Sequence, residues 1–346
     1  MADPKTVKPV IYTHIGGQAV LEGIMMRGKY NWAIAVREPS GAIYTEQHDL
    51  VSASSKHAWL KWPIIRGMWS FYETMVLAVK AFGISAEHAG ETEEEQLSSK
   101  EIGLTMVLGL GLAVGLFIVL PAVLTNVFVG TSTARPFTWN VVDGALRLAA
   151  FFAYIWAVSR VKDIHRVFEY HGAEHKTIHA YEHGLPLTPE NIQQYETLHV
   201  RCGTAFLLMV MVIAIVVFTL FPGKAILAAW GVSAKGYVLL FNICTRILLL
   251  PLIAGLAYEV SVKWAGQHPD NPVVKVLMWP GMQLQRMTTA QPDDSMVEIA
   301  VAAMELVIAR EDAQAVSTGV VEYVSGAAPA RHATASPIEE DFAPHA

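Results

Sequence analysis

The sequence predicts a mainly α fold: a polytopic α-helical membrane protein with about four transmembrane helices and a small mixed α/β cytoplasmic part. Three observations predict it. Apolar stretches at 102–129, 141–161, 204–222 and 237–262 each reach the roughly 20 residues needed to span a bilayer. Hydrophobic residues make up 53% of the 346-residue chain and charged residues only 16%, against about 25% in ordinary globular proteins. Lys and Arg are also skewed towards one set of loops.

Each observation excludes something. Mean hydropathy of +0.36 excludes a disordered chain, which lacks apolar mass to bury. Residues 104–128 and 205–221 are too long and too free of charge for buried helices of a soluble domain. Lys+Arg 25 against Asp+Glu 31, a net charge of −6, offers no basic field to nucleic acid, so the expected partner is the lipid bilayer, with a membrane or cytoplasmic protein as a further candidate. Two cysteines, Cys202 and Cys244, cannot form a disulfide framework. Cys244 reads as a small buried hydrophobe.

The basic residues orient the spans. The segment before the first span is rich in them, the loop after it holds only Arg135, and the next loop holds Lys162, Arg166, Lys176 and Arg201. Positive-inside counting therefore puts both termini and the 162–203 loop in the cytoplasm. The first 20 residues lack a signal-peptide pattern.

Along the chain, residues 1–90 read as an N-terminal cytoplasmic region with a β-hairpin and an interfacial helix. The runs Ala33–Glu38 and Ala42–Glu46 around Pro39-Ser40-Gly41 are the hairpin signal. The Gly-punctuated run 16–28 reads either as loop–strand–loop or as a binding loop. Residues 63–82 are apolar but carry Arg66, Glu73 and Lys80, which suits a helix on the membrane surface better than a fifth span. An acidic linker occupies 91–101. The bundle occupies 102–262, with the His-rich loop 162–203 between its second and third spans. Residues 263–312 read as an interfacial segment broken at Pro280-Gly281 and a helix over 297–308 capped by Asp293 or Asp294. Residues 313–346 read as a disordered tail.

His171-Gly172-Ala173-Glu174-His175 matches the H-x-x-E-H pattern of inverted zincins. On a helix the two His lie about 40° apart on one face, where both can bind one divalent metal, zinc foremost. Glu174 is then the candidate catalytic carboxylate, deprotonating a water. His179 and Glu182 extend the stripe until Gly184 and Pro186 end the helix. Thr188-Pro189 starts a second helix running to His199-Val200-Arg201-Cys202-Gly203. The topology brings His171, Glu174, His175, His199, Cys202 and Glu259 to one membrane face. The expected ligands are His171, His175, His199 and Glu259, with Cys202, His179, Glu182 and Glu22 as accessories. Arg201 could hold an anionic group of a substrate. The alternative is a polar belt of hydrogen-bonded His. Arg246, inside the fourth span, needs a partner, and Asp143 is the candidate.

Several motifs together resemble a known family. They are Gly16-Gly17-Gln18-Ala19 through Arg27-Gly28, Pro63-Ile64-Ile65-Arg66-Gly67, Tyr170-His171-Gly172-Ala173-Glu174-His175-Lys176-Thr177, Leu187-Thr188-Pro189-Glu190-Asn191, His199-Val200-Arg201-Cys202-Gly203-Thr204, Arg246 with Leu249-Leu250-Pro251, Ala257-Tyr258-Glu259 and Gln285-Arg286-Met287-Thr288-Thr289. In this order, over about 14–310, they resemble the DUF1385 family, the YqhQ-like membrane proteins of bacteria. The resemblance implies the inner membrane and a predicted metal-dependent enzyme of unspecified substrate. The functional expectation is a metal-dependent membrane hydrolase with its site at the cytoplasmic face. The alternative is a non-enzymatic scaffold or assembly factor with a structural His cluster. A transporter built on Arg246 and Asp143 suits four spans without a repeat poorly.

Overall fold

The computed structural model describes residues 13–50, 52–90, 99–199, 202–265, 268 and 271–317. Most of the acidic linker, most of the expected tail and Arg201 lie outside the described residues.

Two short apolar strands with both faces covered organise the N-terminal module. Strands β1 (Gly16–Val20), β2 (Gly23–Arg27), β3 (Asn31–Arg37) and β4 (Ile43–Asp49) form an antiparallel meander in chain order. Met25 pairs with Ile34, and Ile34 with Glu46. Successive side chains point to opposite faces. Ile24, Met26, Ala33 and Ala35 enter one core with Tyr170, Ala173, Ile178, Val297 and Ala300. Met25, Trp32, Ile34 and Val36 enter another with Leu77 and Ala81. Burial on both sides explains why β2 and β3 read as continuous apolar runs rather than as alternating ones.

The expected 33–46 hairpin is β3–β4, and its turn is closed by Gly41 N–H donating to Glu38 O at 2.9 Å with Gly41 at φ 84. The run 16–28 is neither loop–strand–loop nor a free loop. It is the hairpin β1–β2, with Glu22 at φ 47 in its turn.

After the short helix α1 (Ala53–Lys56), helix α2 (Ile65–His88) links module and bundle. Its C-terminal half packs on the sheet through Leu77 and Ala81, and Ser85 Oγ donates to Leu21 O at 2.6 Å. Its first turn presses on the end of α10 (Lys235–Tyr258): a Cβ on Gly67 would meet Tyr258 Cβ at 2.7 Å and Gly255 O at 2.8 Å.

Among the described residues, four helices are long and apolar enough to cross a membrane: Gly103–Val129, Pro136–Val158, Gly203–Ala229 and Lys235–Trp264. The first joins α3 (Ser99–Val114) to α4 (Leu120–Val129) through a π-helical segment. The second is α5 (Pro136–Val158). It starts earlier than its apolar stretch because Pro136 suits a first helical turn. The third is α8 (Gly203–Leu220) followed by α9 (Gly223–Ala229), and the fourth is α10 with a π-helical end, Glu259–Trp264. Leu108, Leu112, Phe128, Leu220 and Leu248 point outward, as lipid-facing side chains must. Cys244 is exposed on this outer surface, so the expectation of a buried cysteine is corrected.

Helix α6 (Lys162–Glu182) occupies the loop between the second and third spans, followed by the short α7 (Pro189–Gln193). Helix α11 (Pro272–Thr288) runs unbroken through Pro280. The expected break is absent because the segment lies against α8, where a Cβ on Gly281 would meet Ala205 Cβ at 2.7 Å. Helix α12 (Asp294–Ser317) is capped by Asp293, whose Oδ1 accepts from Met296 N at 3.0 Å, and lies across the sheet.

Gly67→Ala forces a methyl into the backbone of α10, and overpacking of this kind costs about 1–3 kcal/mol. The variant is expected to melt several degrees below wild type in detergent, read by circular dichroism. Gly83→Ala, with open space around its Cβ position, is expected to melt no lower than wild type.

Candidate metal centre

Small residues bring the chain around α6. A Cβ on Gly172 would meet Ala290 O at 2.0 Å, and one on Gly17 would meet Glu174 Cδ at 2.9 Å. Ala173 is fully buried. The Gly-Ala pair inside the motif thus lets the segment after α11 lie on one side of α6, while Gly17 lets β1 lie against Glu174. Ala290 N–H donates to Phe168 O at 2.8 Å, fixing that segment.

Both imidazoles are oriented by backbone. His171 Nδ1–H donates to Thr288 O at 2.8 Å, and His175 Nδ1–H to Thr197 O at 2.5 Å. A carbonyl can only accept, so each neutral ring keeps its lone pair on Nε2, the arrangement that metal-binding His adopts. His171 Nε2 lies 3.2 Å from Cys202 Sγ. One ligand atom each from His171, His175 and Cys202 lie within 4.8 Å of one another. Cys202 is also the N-cap of α8, with its sulfur accepting from Thr204 N at 3.5 Å.

The second helix stops at Gln193 rather than reaching His199. This frees the carbonyls of Thr197 and Leu198 to meet α6, and His179 Nε2–H donates to Leu198 O at 2.8 Å. Lys176 Nζ donates to Gln193 O at 2.9 Å and pins the arm. Gln285 clamps it from α11, accepting from His199 N at 2.9 Å and donating to His199 O at 2.8 Å.

The electrostatics follow burial. Burial pushes Glu174 up to about 7, against the pull of His171 and the Gly17 N–H. It pushes His175 down to about 4, so the ring is neutral at pH 7. Burial would also raise the Cys202 thiol, but the neighbouring His175 and Thr204 prevail and hold it below its ordinary value. Glu174 Oε2 is buried with no hydrogen-bond partner among the described residues.

The remaining expected site residues have other partners, although the His199 ring lies 5.5 Å from that of His175. Glu259 is held by Arg66, whose Nε donates to Oε1 at 2.7 Å and whose Nη2 binds Oε2. It also accepts from Ile64 N at 3.1 Å, and so steadies a turn in which Ile64 takes the costly φ of 68. It therefore stands apart from the three-residue group. His199 Nε2 faces Glu182 Oε2 at 3.8 Å, and Glu182 Oε1 accepts from Thr13 N at 2.8 Å. His179, Glu182 and His199 thus form a neighbouring cluster that joins the arm to the N-terminal segment. Glu22 accepts from Arg166 Nε at 2.6 Å and from Tyr170 Oη at 3.2 Å. Within the bundle, Arg246 Nη2 donates to Asp143 Oδ2 at 2.8 Å. Cys202 joins the two motif His more closely than His199 or Glu259 does. The groups that sequence reading missed are backbone: Thr197 O, Thr288 O and Gly17 N–H.

These features define a class: a four-helix-spanning membrane protein whose sheet-bearing module closes over a His/Cys/Glu cluster beside the bundle. The chain belongs to the DUF1385 family, described as proteins of unknown function, whose model matches residues 62–310. That match begins after the sheet, so β1 with Gly17 precedes it. The chain is similar to the uncharacterized protein YqhQ of Bacillus subtilis (strain 168), 33% identical over 303 residues that cover 83% of this chain and 89% of that one. No solved structure matches.

The Glu174 shift carries a pH signature. Its pKa rises on folding from an ordinary 4.5 to about 7, so its contribution to stability is fully present below 4.5 and lost as pH rises through 7. Glu174→Gln removes that loss. In metal-free protein, the stability of Glu174→Gln relative to wild type is expected to grow by on the order of 3 kcal/mol between pH 4.5 and 7, then stay level. Chemical denaturation of both proteins across that range checks it. A constant difference would mean that Glu174 titrates normally.

Proposed function

We propose that this chain is a multi-pass protein of the bacterial inner membrane with both termini cytoplasmic, and that it is a metal-dependent hydrolase. Its metal centre lies at the cytoplasmic membrane face. His171, His175 and Cys202 hold one divalent ion, zinc foremost.

The observation that carries the reading is the orientation of the two rings. Each commits its Nδ1–H to a carbonyl, Thr288 O or Thr197 O, and keeps its lone pair on Nε2; His171 Nε2 lies 3.2 Å from Cys202 Sγ, and His175 belongs to the same group. Two imidazoles and a thiol fit zinc, and a set of three protein ligands is typical of catalytic sites. A bound ion of this kind supplies Lewis acidity to a water or a substrate oxygen. Glu174 accepts the proton at Oε2, since its pKa of about 7 suits a base at neutral pH. The Gly17 N–H orients the carboxylate from β1. Arg201, next in sequence to Cys202, is assigned on its chemistry to an anionic group of the substrate.

One observation favours a second reading. Glu174, His175 and Cys202 are all buried, and the cluster ties α6 to α8 and to the end of α11. A metal there would also act as a structural clamp in a non-enzymatic scaffold.

Metal analysis of untagged, chelator-free protein tests the centre, with about one zinc or similar ion per chain expected. His171→Ala/His175→Ala is expected to lose it. An absence of stoichiometric metal in wild type, even after supplementation, would overturn the reading. Glu174→Gln separates the two roles. As a hydrolase, it keeps the metal and loses about 100-fold or more of turnover against an ester, phosphoester and peptide panel. Metal-loaded wild type that turns over none of them favours the clamp.

A further inference from the structure

A second polar cluster sits in the middle of the bundle, and the proposed hydrolysis does not use it. Trp139, Asn140, Asp143, Gly144 and Arg147 line one face of α5, at positions i, i+1, i+4, i+5 and i+8. They face α8 and α10 across a tight seam, where a Cβ on Gly144 would meet Ile215 Cγ1 at 2.5 Å. Asn140 Nδ2 donates to Phe218 O at 2.8 Å.

The charges in this seam do not balance. Asp143 Oδ2 accepts from Arg246 Nη2 at 2.8 Å, from Arg246 Nε at 3.2 Å and from Arg147 Nη2 at 3.2 Å. Two guanidinium groups share one carboxylate, leaving one positive charge over. Side-chain exposure is 7% for Arg147, 2% for Asp143 and 4% for Arg246. Phe218 lies 5.5 Å from the Arg147 guanidinium and 4.6 Å from that of Arg246, and Trp139 lies 4.7 Å from the latter. These rings soften the charge without cancelling it. Arginine does not lose its proton in proteins. An uncompensated buried charge in a membrane is costly.

Hydrogen-bonding capacity is left over with the charge. Arg147 Nε is a buried donor without a partner among the described residues, as are Trp139 Nε1, whose ring lies against Arg246, and the acceptor Asp143 Oδ1. Arg246 differs, since its Nη2 reaches Asn140 Oδ1 at 3.3 Å as well as Asp143. The surplus therefore sits on the Arg147 side of Asp143.

We propose that this seam binds one small monovalent anion of the halide or nitrate class beside Arg147. One such anion neutralises the excess charge and accepts from Arg147 Nε. A lipid phosphate does not suit the place, because Arg147 lies about 16 Å along α5 from either end, at 1.5 Å per residue. A large or divalent anion suits neither the single surplus charge nor the tight seam.

The test is thermal melting of the full chain in zwitterionic nanodiscs, in sodium chloride and in sodium gluconate of equal ionic strength. Chloride is expected to raise the midpoint saturably, by about 5 °C, with bromide and nitrate substituting for it. Arg147→Met removes the surplus charge and is expected to melt alike in both salts. His171→Ala/His175→Ala is expected to keep the chloride response, which separates this site from the metal centre. Retention of radiolabelled chloride by wild type, about one per chain and displaced by bromide, gives a measurement independent of any variant's folding. Equal melting of wild type in both salts, no retained chloride, or a chloride response that persists in Arg147→Met would overturn the proposal.

Discussion

Two hydrogen bonds from imidazole to carbonyl set the geometry on which the site depends. His171 reaches Thr288 O at the end of α11, and His175 reaches Thr197 O in the arm before α8. Each bond joins α6 to a different segment. Each also fixes a tautomer, so that the lone pair lies on Nε2. Without these bonds the rings would be free to rotate about their own side chains, and nothing would keep two nitrogens and a sulfur close together.

The rest of the architecture holds those segments still. The sheet supplies a floor for α6 and α12 through Ile24, Met26, Ala33 and Ala35. Gly17 brings β1 close enough for its N–H to reach Glu174. Gln285 clamps the arm from α11, and Lys176 clamps it from α6. The Arg66–Glu259 and Arg166–Glu22 pairs lie further out. Both are partly exposed, and such pairs add little stability unless geometry is favourable. Their bidentate form suits them to fixing orientation: Arg66 holds α2 on the end of α10, and Arg166 holds the β1–β2 turn on α6.

Much of this was legible in the sequence, for physical reasons that also explain the gaps. Spans were readable because hydrocarbon demands long charge-free helices, and the four helices fall on the four apolar stretches to within a few residues at most ends. The hairpin at 33–46 was readable from its turn residues. The hairpin at 16–28 was not, because β2 is buried on both faces and shows no alternation. Pro280 suggested a break that packing on Ala205 overrides. His171, Glu174 and His175 were readable from helical spacing. The weight of Cys202 over His199 and Glu259 was not, because it depends on where the arm leaves its helix. Backbone carbonyls have no sequence signature at all.

The central claim is that the two motif His and Cys202 form one coordination set. Cobalt(II) substitution reads that directly, because a cobalt–thiolate bond has its own near-ultraviolet charge-transfer band. The account predicts that band in wild type together with the visible bands of a tetrahedral ion. It predicts loss of the charge-transfer band in Cys202→Ser, and loss of both features in His171→Ala/His175→Ala. A wild-type spectrum without the thiolate band, or one that Cys202→Ser leaves unchanged, would contradict it.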